Sequence, residues 1–508
     1  MALSGCARES ATQKAAAELS PCRLKDVEIE VRCGVLNVPE RRVPAQRDAA
    51  PVDGAPARSI ELHFAVIPSV ARNREPDPIA ILAGGPGQAA TDIAGQVLPL
   101  FARLNKNRDL IFVDQRGTGG SNPLQCDADD RGSAGRRLDQ AIDPTMLEAR
   151  IVRCAGALAA KADLTQYTTV AATEDLDALR EHLGYARINL WGASYGTRAV
   201  LDYLRRFPQR VRTATLDGVA PAAMKLPLAF AFDAHVALWR LTTDCAHDTA
   251  CAKAYPKLAG DIDKLFARFD AGPVSATLPH PLDGRSETTT ITRDAWATML
   301  RTPLYSSLTA SLLPRAITKA AAGDYSTLAA LTTFLSAGLV DHLAIGMHLS
   351  VICAEDMADI TDADLEAARR EAKASAFDAR PDRFVGVFYE QYRRLCAKWP
   401  SGRAPRDFFE PVQSDVPVLM LSGGIDPATP PRHAVEAAKG LTRARHLVAP
   451  NVGHGVSSAG CAPGLIEQFV RDADVEKIDA KCLAGIPRPS FFEAIAAPRA
   501  DGVAARLP

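Results

Sequence analysis

The chain has 508 residues, enough to bury a large core unaided, and at roughly 100 to 200 residues per domain its length suggests about three units. With 59 basic and 60 acidic residues the net charge is -1, which leaves no electrostatic footprint for nucleic acid or anionic lipid. The composition, 47% hydrophobic and 23% charged, is that of a globular protein, and no apolar run reaches the about 18 residues of a membrane-spanning helix.

Along the first half, short apolar runs alternate with segments of helical period, the pattern of βαβ units and a mostly parallel sheet. Leu62 to Ile67, Ile79 to Ala83, Leu110 to Asp114, Ile188 to Trp191 and Thr213 to Leu216 read as strands. Thr173 to Leu183 reads as a crossover helix, with Thr173 as its N-cap and Gly184 as its stop. After Pro221 the pattern becomes Ala/Leu-rich and helical with few strand signals, as in Arg293 to Leu300, Pro314 to Ala322 and Asp362 to Ala376, and this insertion ends near Pro411. Strands resume at Val416 to Leu421 and at His446 to Ala449. The expected organisation is a leader or tether over 1–20, a core over 21–220, a helical cap over 221–410 and the rest of the core over 411–508. Arg41 to Ala57 and the tail from Pro498 read as loosely structured.

Gly192-Ala193-Ser194-Tyr195-Gly196 lies between a strand and an amphipathic helix running to about Phe207, the context of a nucleophile elbow. There the chain turns so sharply, and its neighbours pass so close, that the positions two before and two after the serine must lack a Cβ. A serine hydroxyl needs a base, normally an imidazole oriented by a carboxylate. His454 sits in the glycine-flanked loop Asn451 to Gly455 after a late strand, whereas His433 and His182 fall in helical patterns and read as solvated. Asp426, in the turn after Val416 to Leu421, is the candidate acid, with Asp217 as its rival. The order Ser, Asp, His is that of α/β-hydrolases. The oxyanion hole is expected from the N–H groups of Tyr195 and Gly85, the latter in Gly84-Gly85-Pro86-Gly87 after an early strand; such donors contribute about 3 kcal/mol each. Acyl transfer of this kind, with His454 titrating near about 6.5, requires no cofactor. No CxxC or HExxH spacing marks a zinc site.

Together the GGPG loop, Asp114-Gln115-Arg116-Gly117-Thr118-Gly119, the Gly192 to Gly196 elbow, Asp426 and His454 resemble the α/β-hydrolase peptidases of the prolyl iminopeptidase and tripeptidyl aminopeptidase group, over the chain from about Cys22 to Cys482. The segment from Pro417 resembles the C-terminal region of the tripeptidyl aminopeptidase branch. The resemblance implies an α/β-hydrolase fold, a helical cap between the nucleophile half and the acid/histidine half, and a serine exopeptidase acting on short peptides with a free amino terminus. Many prolyl iminopeptidases have His before the GGPG loop; here Ala83 stands there, which favours the tripeptidyl branch.

A free amine calls for an anionic partner, and Glu355, in Ser350 to Asp356, is the candidate anchor. The alternative is that Glu355 and Asp356 cap a helix or meet arginines. An esterase on small acyl esters would use the same triad, and a non-catalytic binding protein is the reading from another class; an epoxide hydrolase would carry aspartate where Ser194 stands.

The eleven cysteines remain. Cys6 aside, ten fall into sequence-neighbour pairs, Cys22 with Cys33, Cys126 with Cys154, Cys245 with Cys251, Cys353 with Cys396 and Cys461 with Cys482, a connectivity that sequence alone does not prove; similar positions in secreted tripeptidyl aminopeptidase relatives suggest several of these pairs, and reduced thiols in a cytosolic enzyme are the alternative. Cys6, in Leu3-Ser4-Gly5-Cys6, resembles the lipobox of bacterial lipoproteins, where the cysteine carries lipid; no apolar h-region precedes it, so either a signal peptide has been cut from this start or the match is chance. An exported protein of the bacterial envelope is expected.

Overall fold

The computed structural model describes residues 19–42, 58–126, 138, 146–340, 343–374 and 384–493. Cys6 and both segments read as loosely structured, apart from residues 41 and 42, lie outside them.

Nine strands form one sheet: β1 Ser20–Cys22, β2 Val31–Pro39, β3 Ser59–Ile67, β4 Ile79–Leu82, β5 Leu110–Val113, β6 Ile188–Ala193, β7 Val211–Asp217, β10 Val418–Gly423 and β11 Ala444–Ala449, in the order β1-β2-β3-β5-β4-β6-β7-β10-β11. From β5 to β11 all neighbours are parallel, and β1, β2, β3 and β5 pair antiparallel. The protein has the α/β-hydrolase fold. Strands β4, β5 and β10 are buried along their whole length, as expected of parallel strands covered on both faces, which is why they read as continuous apolar runs. β1 and β2 carry no such run: β2 (VRCGVLNVP) is half-exposed near the sheet edge, and its polar residues hid it from a hydrophobicity reading.

The crossover helix runs over Thr169–His182, and its N-cap is Thr168, whose hydroxyl accepts the Ala171 N–H, not Thr173. Thr173 lies inside the helix and donates to Val170 O and to Asp202 Oδ2. The helix after the elbow, Tyr195–Arg206, is almost wholly buried.

Between β7 and β10 the chain is largely helical, with Leu226–His247, Leu258–Asp270, Arg293–Arg301, Leu313–Ala321, Ser326–Val340 and Val385–Cys396 sharing a hydrophobic cluster apart from the two that cover the sheet. It also contains an antiparallel hairpin, β8 Val274–Pro279 with β9 Ser286–Ile291, in a stretch read as helical with few strand signals. The hairpin is rich in Thr and alternates buried with exposed positions, so it lacked the apolar runs that marked the core strands. The chain's last described residues return to this helical layer: Arg488 pairs with Asp244, Phe491 joins its cluster and Phe492 N donates to Ser311 O.

Five disulfides, Cys22–Cys33, Cys126–Cys154, Cys245–Cys251, Cys353–Cys396 and Cys461–Cys482, join the cysteines as the sequence-neighbour pairs.

Candidate active site

Ser194 stands between β6 and the helix Tyr195–Arg206 with φ 54° and ψ -123°, a conformation that L-residues rarely adopt. The surroundings enforce it. A Cβ on Gly192 would lie 2.5 Å from Gly196 O, and one on Gly196 would lie 2.2 Å from Leu82 O, so neither position admits a side chain. Backbone bonds pin the turn: Ser194 N donates to Asp217 O at 2.8 Å, and Ser194 O accepts from Thr197 N and Thr197 Oγ1 at 2.9 and 2.6 Å. Although Ser194 occupies the N-cap position, where serine normally spends its hydroxyl on the first turn, its side chain makes no cap bond. Its Oγ is left for other chemistry.

His454 and Asp426 are brought together by the loops after β11 and β10. His454 Nδ1 donates to Asp426 Oδ2 at 2.8 Å. The carboxylate is fixed in turn by Ala428 N and Thr429 N on Oδ1 at 2.7 and 2.9 Å, and by Thr429 Oγ1 on Oδ2 at 2.8 Å. Burial alone would push the Asp426 carboxyl up, but the charge of His454 and these hydrogen bonds hold it below the ordinary value. Burial alone would lower the imidazole, and Asp426 overcomes it and raises His454 above 6.5. The proton held on Nδ1 leaves Nε2 as the acceptor.

Asp217, the rival acid, does different work. Its two oxygens accept Val456 N and Ser457 N at 2.8 and 2.7 Å, so it anchors the loop that carries His454. Gly218, next to it, has φ +69°, and a Cβ there would lie 3.3 Å from His454 Cε1.

The GGPG loop reaches the nucleophile: a Cβ on Gly84 would lie 3.3 Å from Ser194 Cβ. Gly85 has φ +113°, and Tyr195, beside the serine, is buried with its hydroxyl 2.8 Å from Thr169 Oγ1. The Asp114 to Gly119 turn is a scaffold nearby, with buried Asp114 accepting from Thr91 and Gly120, and buried Arg116 paired with Asp175 at 2.7 Å.

Glu355 is not placed to receive a substrate amine. Its side chain is wholly buried, Oε1 accepts Thr169 N at 2.6 Å, Oε2 accepts Thr169 Oγ1 at 2.8 Å, and Arg198 Nη1 lies 3.7 Å away. The alternative reading holds for both carboxylates: Glu355 caps the helix Thr169–His182, and Asp356 pairs with Arg198 at 3.0 Å while accepting Leu226 N. His433 departs likewise from its expectation as a solvated residue. It is buried, 2.7 Å from Asp233 Oδ2, because its helix, Pro431–Ala438, packs on the helix Leu226–His247. His182 is half-buried, edge-on to Phe64.

Two residues that the sequence did not single out hold the site from the helical layer. Tyr305 O accepts His454 N at 2.8 Å, and its ring packs edge-on to the imidazole with centroids 5.2 Å apart. A Cβ on Gly453 would lie 2.5 Å from that carbonyl, which explains the glycine before His454. His348 Nδ1 donates to Pro86 O of the GGPG loop at 3.0 Å, since a proline carbonyl can only accept, and Nε2 then accepts from Tyr392 OH at 2.8 Å. Burial lowers His348 to about 4 and keeps it neutral. Neither residue carries a motif; both are legible only once the helical layer lies on the loops.

Comparison with known proteins follows this geometry. Residues 77–249 match the family model described as alpha/beta hydrolase fold, and residues 382–482 match that described as TAP-like protein. The chain is 26% identical to the serine protease Hip1 of Mycobacterium tuberculosis (strain ATCC 25618 / H37Rv) over 92% of its own length and 90% of the relative's. It is 24% identical to the tripeptidyl aminopeptidase of Streptomyces lividans over 80% and 77% of the two lengths.

Proposed function

As an α/β hydrolase with a TAP-like C-terminal region, this chain is, we propose, a serine peptidase that releases short peptides from free amino termini through an acyl-enzyme on Ser194. Two observations carry the reading: a serine held at φ 54° in the elbow, and a His454 whose Nδ1 lies 2.8 Å from Asp426 Oδ2. Ser194 Oγ attacks the carbonyl carbon as His454 Nε2 takes its proton. Asp426 holds the imidazole in the required tautomer and stabilises the imidazolium. The N–H groups of Tyr195 and Gly85 face the oxyanion. His454 then gives its proton to the leaving amine, and water, activated by the same imidazole, releases the acyl group.

The helical layer over 221–410 acts as the cap, and the names of the two relatives support a peptide substrate. The preference for a free amine is part of the proposal and does not rest on Glu355. Five disulfides fit an exported protein. We place it in the bacterial envelope, with Cys6 as the candidate lipid anchor.

A panel of tripeptidyl aminomethylcoumarins, their N-acetylated counterparts and p-nitrophenyl esters tests the reading. Hydrolysis of the free-amine amides with loss on acetylation is expected. Turnover of the esters alone would replace the peptidase with an esterase.

A further inference from the structure

The segment of the cap that touches the catalytic histidine also carries an unpaired cation. Arg301 ends the helix Arg293–Arg301, four residues before Tyr305. Three rings from three cap elements surround its guanidinium: Phe230 at 4.6 Å, Tyr305 at 4.9 Å and Phe388 at 5.4 Å from its carbon to the ring centroids. Aromatic faces attract a cation but satisfy none of its N–H groups, which lie in the guanidinium plane. Among the described residues Arg301 has one hydrogen-bond partner, the Tyr305 hydroxyl, and no carboxylate within ion-pair distance; Nε is enclosed and unbonded. An enclosed donor without a partner is costly, and the guanidinium's remaining N–H groups are left for water or for something that displaces it.

Its place makes that something a substrate. The Tyr305 ring that stacks on Arg301 is the one packed 5.2 Å from the His454 imidazole, and the Arg301 charge opposes protonation of His454. The guanidinium thus lies one ring removed from the general base, 4.9 Å from the Tyr305 ring that is itself 5.2 Å from the imidazole, a span that up to three peptide residues cover at about 3.5 Å each. Glu355 and Asp356, the carboxylates considered for substrate binding, face Thr169 and Arg198 instead.

We propose that Arg301 is a substrate-binding residue for a carboxylate near the scissile bond, carried either by an acidic side chain on the acyl side or by the free carboxy terminus of a short peptide. The aromatic cage holds the guanidinium by its faces and leaves Nη1, and the Nη2 N–H not given to the Tyr305 hydroxyl, for bidentate contact with that carboxylate. This rests on the peptidase reading above and gives it a substrate class.

Two matched pairs separate the sources: tripeptidyl aminomethylcoumarins with Glu or Gln next to the scissile bond, and tetrapeptides with free or amidated carboxy termini. The acid member of at least one pair is expected to exceed its neutral partner about tenfold in kcat/KM, mainly through KM, a difference in the range of a single charged contact. Arg301→Gln is expected to abolish that ratio, and Arg301→Lys to retain part of it. Ratios near one in both pairs, or ratios unchanged in Arg301→Gln, would overturn the assignment. If no peptide is hydrolysed, the peptidase reading fails instead. The carboxylate subsite is then read without turnover, by calorimetric binding of the Glu and Gln peptides to Ser194→Ala protein and to its Arg301→Gln derivative. Equal affinities there reject it.

Discussion

At Glu355 both carboxylate oxygens accept from Thr169, Arg198 lies beside them and the side chain is wholly buried, so the residue is committed within the fold and closed to a substrate amine. Glu355→Gln keeps an acceptor for the Thr169 N–H, and we expect the preference for free over acetylated amines to survive it; loss of that preference would restore Glu355 as the anchor. The same variant has a signature in stability. Burial pushes this carboxyl up to about 7 from 4.5, so the folded protein binds the proton more tightly than the unfolded chain does. The stability this group contributes is complete below the unfolded value and is lost as pH rises through about 7. Denaturation midpoints of the wild type should therefore fall relative to those of Glu355→Gln between pH 5 and 8. His454 gives the complementary test in activity. Its neutral form is the base, and Asp426 raises its pKa, so kcat/KM should rise with pH with a midpoint above 6.5. A midpoint below 6.5 would mean that burial outweighs Asp426.

Among elements, the disulfides differ in the length of chain that they close. Cys353–Cys396 spans 43 residues and Cys245–Cys251 spans 6. In the chain-entropy account, closing these loops stabilises by about 4 and about 2 kcal/mol. Guanidinium denaturation of the two double alanine variants should show the larger loss for Cys353→Ala/Cys396→Ala, and equal losses would contradict that account. The longer bridge also joins the segment after the helix bearing His348 to the helix bearing Tyr392, which together hold the GGPG loop. The elements that the sequence made legible share one physical cause. Buried parallel strands read as apolar runs, and the elbow glycines are dictated by backbone contacts that strand order alone brings about. β2 and the β8–β9 hairpin stayed hidden because half-exposed strands alternate polar with apolar residues.

For the molecule as a whole, the proposed catalytic residues come from loops that follow sheet strands, while part of what fixes them comes from the helical layer. Tyr305 holds the His454 loop and His348 holds the GGPG loop, so the helical layer is a wall of the candidate site, and of the proposed cap's role as cover this is the part that contacts carry. The elbow at Ser194 and the meeting of Asp426 with His454 could be anticipated from motif and chain order, since local backbone demands write themselves into glycines. Tyr305 and His348 could not, because their roles arise between segments more than a hundred residues apart, nor could Arg301, whose cage is assembled from three separate elements. The central claim is that Ser194 is the nucleophile, and intact-protein mass spectrometry after treatment with a fluorophosphonate tests it most directly. We predict one adduct on the wild-type protein, placed on Ser194 by peptide mapping, with matching loss of tripeptidyl amide hydrolysis, and no adduct or hydrolysis in a folded Ser194→Ala variant. Hydrolysis persisting in that variant at a rate near that of the wild type would contradict the account.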